Sequence, residues 1–253
     1  MQRTFRLDAA ATKSFTGLAV TAAVLDLTVT SVLGLTEATV ELTGPADVVG
    51  GATAIEGDVW KIGVPAPRQT GSVRSFAGGA VIQARNITNG VIFNGGMRLG
   101  GMTLGGNGVT TVVQDPIRAV VRIPKGTGLT ADITHAGSVL TRGWLSSIRI
   151  SGTAVDVDLA GADHVDVKSI SGDLVLERAT GSARLRSTSG DVAVHCAGAT
   201  TDAESVSGDI TVTAGTEDSR VYATTVSGDV TVTRGGYRVS TQTSSVSGRV
   251  REW

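Results

Sequence analysis

The sequence predicts an all-β fold, a parallel β-solenoid of about 18–20 residues per coil, on three observations. No window repeats its apolar residues with a period of 3.6 over three turns, so amphipathic helices are not expected. Gly152, Gly172, Gly190, Gly208, Gly228 and Gly248 each follow a serine, at spacings of 20, 18, 18, 20 and 20. Between these glycines, β-branched and aliphatic residues alternate with polar ones, as half-buried strands require.

Taken in chain order, residues 1–70 form an amino-terminal β region expected to be continuous with the solenoid. In "LDLTVTSV" and "ATVELTG", Leu25, Leu27 and Val29, and separately Val40 and Leu42, fall on one side of a pleated strand. Pro45, Pro65 and Pro67 punctuate these runs. Arg3, Arg6 and Lys13 before "SFTGLAVTAAVL" have the outline of a secretion signal, but Asp8 breaks the basic part and Thr16 and Thr21 break the apolar part. The secretion signal is therefore the lesser reading.

Residues 71–116 are glycine-rich and read either as an insertion or as short-sided coils, because Ile82, Ile87, Ile92, Met97 and Met102 repeat every five residues. The "GGNG" at 105–108 has no Lys-Ser/Thr after it and no predicted helix, so it is not read as a phosphate loop.

Residues 117–253 carry the regular solenoid. "IRAVVRIP" is a strand ending at Pro124, and each later unit holds two alternating stretches, such as "SRVYATT" and "VSGDVTVT". Counting by twos along the second stretch places Val226, Val230 and Val232 in the core with Gly228, and likewise Ile170, Leu174 and Leu176; Thr188, Val192 and Val194; and Val206, Ile210 and Val212. Gly172, Gly190, Gly208, Gly228 and Gly248 then mark a structural corner where a side chain would crowd the bend or a positive φ is needed. In "ISGTAVDV" the valines stand one place late, which predicts a bulge or register change at the start of the stack.

Composition excludes several function classes. Lys plus Arg total 22 against 23 Asp plus Glu, a net charge of -1, and aromatics make up 4%, so neither the charge nor the stacking platforms for nucleic acid are present. No segment approaches the roughly 18 apolar residues of a membrane span. Cys196 is the single cysteine, which excludes an internal disulfide and, with the absence of a clear export signal, points to the cytoplasm, with secretion or surface display left open.

Asp173, Asp191, Asp209 and Asp229 occupy equivalent steps, so their carboxylates stack about 4.8 Å apart. They either hold the corner through local hydrogen bonds or form a column that takes a cation, and the first reading is favoured because the spacing of calcium-binding β-rolls is missing. In the last unit the aspartate becomes Arg249, which with Trp253 is assigned to capping the end of the stack. His135, His164 and His195 are scattered and are read as structural. No catalytic residue and no cofactor is assigned. Paired acids in distinct surroundings, the mark of carbohydrate-active β-helices, are not evident.

The phrase "VVRIPKGTGLTADITHAGSVLTRG" followed by repeated "SxSGDVxV", with Ser-Gly-Asp at 171–173, 189–191, 207–209 and 227–229, resembles the bacterial β-strand-repeat adhesin-like family, a domain of unknown function. The resemblance implies a β-solenoid, right-handed if it follows the general rule for parallel crossovers, and carries no catalytic residues. The expected function is therefore a non-enzymatic scaffold or adhesin-like binding protein that contacts a protein partner, or itself, through the outward Ser/Asp/Thr face or the coil ends. The alternative is a carbohydrate-binding or carbohydrate-active β-helix.

Overall fold

The computed structural model describes residues 1–7, 15–66 and 117–253, with four short strands between the last two spans. Residues 1–66 and 116–253 form one compact unit, and residues 67–115 a second.

The first unit begins with β1 (Gln2–Leu7), β2 (Gly17–Val32) and β3 (Ala38–Thr43), then the short helix α1 (Ala46–Gly51), β4 (Thr53–Ile55) and β5 (Val59–Val64). In the second unit, β6 (Val91–Ile92) pairs antiparallel with β9 (Val109–Thr110), and β7 (Met97–Leu99) pairs antiparallel with β8 (Met102–Leu104). Ile92, Met97 and Met102 of the five-residue series fall on β6, β7 and β8. Ile82, Ile87 and the "GGNG" lie outside the described residues.

The first unit resumes with β10 (Arg118–Pro124), β11 (Gly128–Arg142), β12 (Leu145–Leu159) and β13 (Ala162–Lys168). From there strands alternate between two ladders. One holds β15 (Ser182–Arg186), β17 (Thr200–Glu204), β19 (Ser219–Thr225) and β21 (Val239–Ser245), each parallel to the last and continuing β13. The other holds β14 (Leu174–Leu176), β16 (Val192–Ala197), β18 (Ile210–Ala214), β20 (Val230–Thr233) and β22 (Val250–Glu252), also parallel. All strands of this unit belong to one all-β, mostly parallel hydrogen-bonded sheet. β2, β11 and β12 are long enough to run through both ladders: the start of β12 pairs with β13 and its end with β14.

Residues 17–25 of the stretch with a signal-like outline thus lie in a central strand, β2. β2 is flanked on one side by β5 and β10 and on the other by β11, all parallel to it. Because β10 and β11 are consecutive in sequence, the connection between them steps across β2; on the way the Lys125 N–H donates to Val32 O at 3.0 Å and the Gly128 N–H to Thr16 O at 3.0 Å. Beyond β10 and β5 the pairing turns antiparallel, with β3 on β10, β1 on β3 and β4 on β5. α1 places Val48 and Val49 in the core, and Arg3 donates to Gly50 O at 3.0 Å and Ala52 O at 2.8 Å, satisfying carbonyls at the helix end.

The core runs as continuous columns. Leu159, Leu176, Val194, Val212 and Val232 stand in register on five successive coils and are buried. Val157, Leu174, Val192, Ile210 and Val230 form the column beside it. Each such aliphatic side chain withdrawn from water contributes about 1.5–3 kcal/mol, set against the backbone entropy of ordering its coil. A register shift occurs where the stack begins, but in β11, between Ile133 and Ala136, against both β2 and β12. Because β12 pairs with β14 with Val157 beside Leu174, Val155, and not Gly152, stands in the column of Gly172, and a methyl built on Gly172 would overlap the Val155 carbonyl.

Candidate binding face

Each SxSGD stretch carries the chain from one ladder to the other, and its residues divide the corner between them. The first, Ser169, Ser187, Ser205 or Thr225, is buried. Its hydroxyl donates to a carbonyl of the preceding coil: Ser205 Oγ to Gly190 O at 3.1 Å, Thr225 Oγ1 to Gly208 O at 3.0 Å, and Ser245 Oγ to Gly228 O at 2.7 Å. Burying a hydroxyl costs free energy that such a partner offsets.

The second residue points outward, which corrects the inward placement of Ile170, Thr188, Val206 and Val226. Ile170 is 51%, Val206 45% and Val226 44% exposed, and Thr188 is exposed too. Counting by twos assumes a straight strand. At this bend two consecutive residues, Val226 and Ser227, both face water, so the count slips by one before Thr225 turns in. Val230, Val232 and their counterparts beyond the bend are buried as expected.

The glycines follow from close approach. A methyl on Gly190 would overlap the carbonyl of Gly172, one on Gly208 that of Gly190, and one on Gly228 that of Gly208. Of the five corner glycines only Gly172 has a positive φ, so crowding by the neighbouring coil, more than backbone conformation, is what glycine relieves.

The aspartates form a ladder between coils. The Asp191 N–H donates to Asp173 Oδ1 at 3.0 Å, Asp209 to Asp191 at 2.8 Å, and Asp229 to Asp209 at 2.8 Å. The ladder starts earlier than the repeats, since Asp173 N–H donates to Asp156 Oδ1 at 3.1 Å, and it ends where the Arg249 N–H meets Asp229 Oδ1 at 2.8 Å. Asp156 escaped the sequence reading because its unit lacks the Ser-Gly-Asp phrase. Among the described residues no group of three or more His, Cys, Asp or Glu side chains is arranged to hold a metal ion.

On the other ladder, outward side chains border a groove of about 480 Å³ lined by Ser147, Arg149, His164, Asp166, Arg184 and Asp202. Arg149 lies 3.7 Å from Asp166 and Arg184 3.0 Å from Asp202, so charges alternate from coil to coil. His164 Nδ1 is 3.1 Å from Ser182 Oγ, and His135 Nδ1 is 2.9 Å from Thr134 Oγ1. The three histidines stay on separate strands, β11, β13 and β16.

At the carboxy-terminal end the column of Leu159 through Val232 finishes on Glu252. This carboxylate faces the open core and accepts hydrogen bonds from Thr243 Oγ1 at 2.7 Å, Thr241 Oγ1 at 2.9 Å and Arg234 at 2.6 Å. The two threonine hydroxyls, and then Arg234, hold its carboxyl below the usual carboxylate range. Thr241 and Thr243 occupy the steps that Val221 and Ala223 fill one coil earlier, so with Glu252 they make part of the last layer polar inside, while Val239 packs against the core and Val250 continues the column of Val230. Trp253 is 70% exposed, and its backbone N–H donates to Val232 O at 3.0 Å.

Two ladders of parallel strands, serial corner repeats and a partly polar last layer define an all-β repeat domain. The model of the Toastrack family, DUF4097, matches residues 118–252, and the chain belongs to that family, whose function is not established. A solved structure from Bacteroides fragilis, described as an adhesin-like protein, superposes with a TM-score of 0.59 at 16% identity, covering 100% of this chain and 96% of that one. An adhesin-like protein from Parabacteroides merdae gives a TM-score of 0.46 at 10% identity, covering 100% and 95%. The likeness to the Bacteroides fragilis structure is one of fold. No curated protein matches the sequence. Among the described residues no helix is long and apolar enough to cross a membrane.

Proposed function

We propose that this chain is a non-enzymatic β-solenoid scaffold, right-handed as parallel crossovers generally are, that binds a protein partner through its outward corner face. The observation that carries this reading is the repetition itself. The same exposed residues recur at each coil on a backbone locked by the buried columns and the hydroxyl and aspartate ladders. Such a surface offers many equivalent contacts along a line, which suits binding, whereas catalysis needs a few unlike groups converging on one point. In this reading the aspartates hold the corner, the corner glycines admit the neighbouring coil, and Arg249 and Trp253 belong to the closing layer. The adhesin-like description of the Bacteroides fragilis structure favours surface display over the cytoplasmic placement drawn from composition.

Affinity capture from the native cell with mass spectrometry, paired with cell fractionation, tests the proposal; a purified chain that captures no specific protein contradicts it. The groove beside Arg149 and Arg184 favours a second reading, carbohydrate binding, because polar side chains line a concave surface there. Calorimetric titration with oligosaccharides checks that reading, and heat of binding lost in Arg184→Ala supports it.

A further inference from the structure

We infer that the apolar ridge along the SxSGD corner docks a basic amphipathic helix of a protein partner, an inference that rests on the binding-scaffold reading above. The ridge consists of Ile170, Thr188, Val206, Val226 and Val246, one residue per coil. Backbone hydrogen bonds fix the alignment: Ser189 N–H donates to Ile170 O at 2.9 Å, Ser207 to Thr188 O at 2.9 Å, Ser227 to Val206 O at 2.8 Å and Ser247 to Val226 O at 2.9 Å. Four of the five side chains are aliphatic and large, with Val246 79% exposed. A single exposed valine means nothing, but four exposed aliphatic side chains in one line, interrupted only at Thr188, mark a contact surface.

The fold does not require apolar residues here. The neighbouring positions do the structural tasks: at Ile170, Thr188, Val206 and Val226 the buried hydroxyl precedes the ridge residue, and the serine, glycine and aspartate follow it. Thr188 in the middle of the series shows that a polar side chain is accommodated at the same step.

Charge selects the partner. Three places beyond the first four ridge residues stand Asp173, Asp191, Asp209 and Asp229, which run parallel to the ridge, each giving one carboxylate oxygen to the next coil, while beyond Val246 the line ends on Arg249. On the opposite flank Arg186 is paired with Glu204 at 3.1 Å. An occupant with cations along one edge of an apolar stripe is complementary to this arrangement, and an acidic one is repelled.

Spacing selects the helix. Coils repeat at about 4.8 Å, so four steps of the ridge span about 19 Å. A helix rises about 5.4 Å per turn and drifts only about 2 Å from the ridge over four turns. Same-side residues of an extended strand recur at about 6.8 Å and fall out of step by about 8 Å over the same four steps. Apolar residues at i, i+4, i+7 and i+11 of a helix therefore follow the ridge, with Lys or Arg on the edge above the aspartates.

The test uses the full chain and a fluorescein-labelled, helix-favouring 20-residue peptide with a leucine stripe flanked by lysines, alongside the same peptide with glutamates in place of the lysines. Anisotropy titrations are expected to show binding of the lysine peptide only, weakened at least tenfold by V206S/V226S and severalfold by D191N/D209N, and weakened by added salt. Both double variants alter exposed side chains, and asparagine keeps the accepting oxygen, so circular dichroism is expected to be unchanged. Equal affinity of wild type and V206S/V226S, or equal binding of the glutamate peptide, overturns the inference. So does a sedimentation dimer abolished by V206S/V226S, which would assign the ridge to a second copy of the chain. Affinity capture with the ridge variant separates the two levels: a partner retained by V206S/V226S refutes the ridge and leaves the scaffold reading standing, and no partner for either protein refutes both.

Discussion

The Asp209 carboxylate accepts the backbone N–H of Asp229 at 2.8 Å across the gap between two coils, so side chains that lie 20 residues apart act as successive rungs of one ladder. A carboxylate in this position does two opposed things. It satisfies a backbone donor at the bend, where regular strand pairing lapses, and it sits about 4.8 Å from like charges above and below. The hydrogen bond is local and directed, whereas the repulsion is spread into water and screened.

That balance is measurable at Asp209. Asp209→Ala removes the acceptor and is expected to cost about 1 kcal/mol, a fall in Tm of roughly 2–4 °C for a chain of this size. Asp209→Asn keeps an accepting oxygen while removing one repelling charge, and is expected to stay within about 0.5 kcal/mol of wild type. Thermal denaturation of both variants at low and high salt checks this. An asparagine variant as unstable as the alanine one would show that charge, rather than the hydrogen bond, holds the rung.

At Gly208 the added methyl would overlap the Gly190 carbonyl. Gly208→Ala is therefore expected to destabilise by about 3 kcal/mol or more, at the upper end for overpacking, because the obstacle is backbone of the next coil and not a movable side chain. Gly50 provides the control, since a methyl there meets nothing within 4 Å. Urea denaturation of Gly208→Ala beside Gly50→Ala separates steric overlap from a general effect of replacing glycine.

Ser205→Ala deletes the hydroxyl that donates to Gly190 O at 3.1 Å inside the corner. An expected loss of about 1–3 kcal/mol follows from leaving a buried carbonyl with one partner fewer. Ser205→Thr restores the donor and copies Thr225, so it is expected to recover most of the stability, and equilibrium unfolding of the pair decides the matter.

Glu252 makes stability depend on acid in a definite direction. Its carboxyl titrates lower in the folded chain than its ordinary value of 4.5, with the Thr243 and Thr241 hydrogen bonds as the main cause. The stabilisation is therefore full above the unfolded value and disappears as pH falls through the lowered folded value. Glu252→Gln is expected to be less stable than wild type at pH 7, with the gap closing toward pH 3. Denaturant midpoints of both proteins across that interval test it; a gap that widens in acid would reverse the assignment.

How far the chain announces its own structure varies by element. The period of the Ser-Gly pairs, together with valines such as Val230 and Val232, is a local pattern repeated often enough to specify parallel layers and their buried columns. The corner was half legible. The recurrence of Ser or Thr three places before each glycine was visible, but the alternation rule assigned the wrong neighbour to the core, because side-chain direction in a bend is set by how the coils meet. Asp156 was hidden because its equivalence with Asp173 comes from the pairing that sets Val157 beside Leu174 and not from any repeated phrase.

The sequence by itself determined the all-β class, the coil length, the apolar columns and the exposed acidic line, since each depends on spacing along one strand. Only the tertiary structure decided that β2 lies between β10 and β11, that Ile170, Val206 and Val226 form an outer ridge, and that Glu252 turns in to finish the stack. The first outcome depends on pairing between residues about a hundred positions apart, which leaves no periodic trace in the chain, and the other two depend on side-chain direction at a bend and at the last coil, which spacing along one strand does not set.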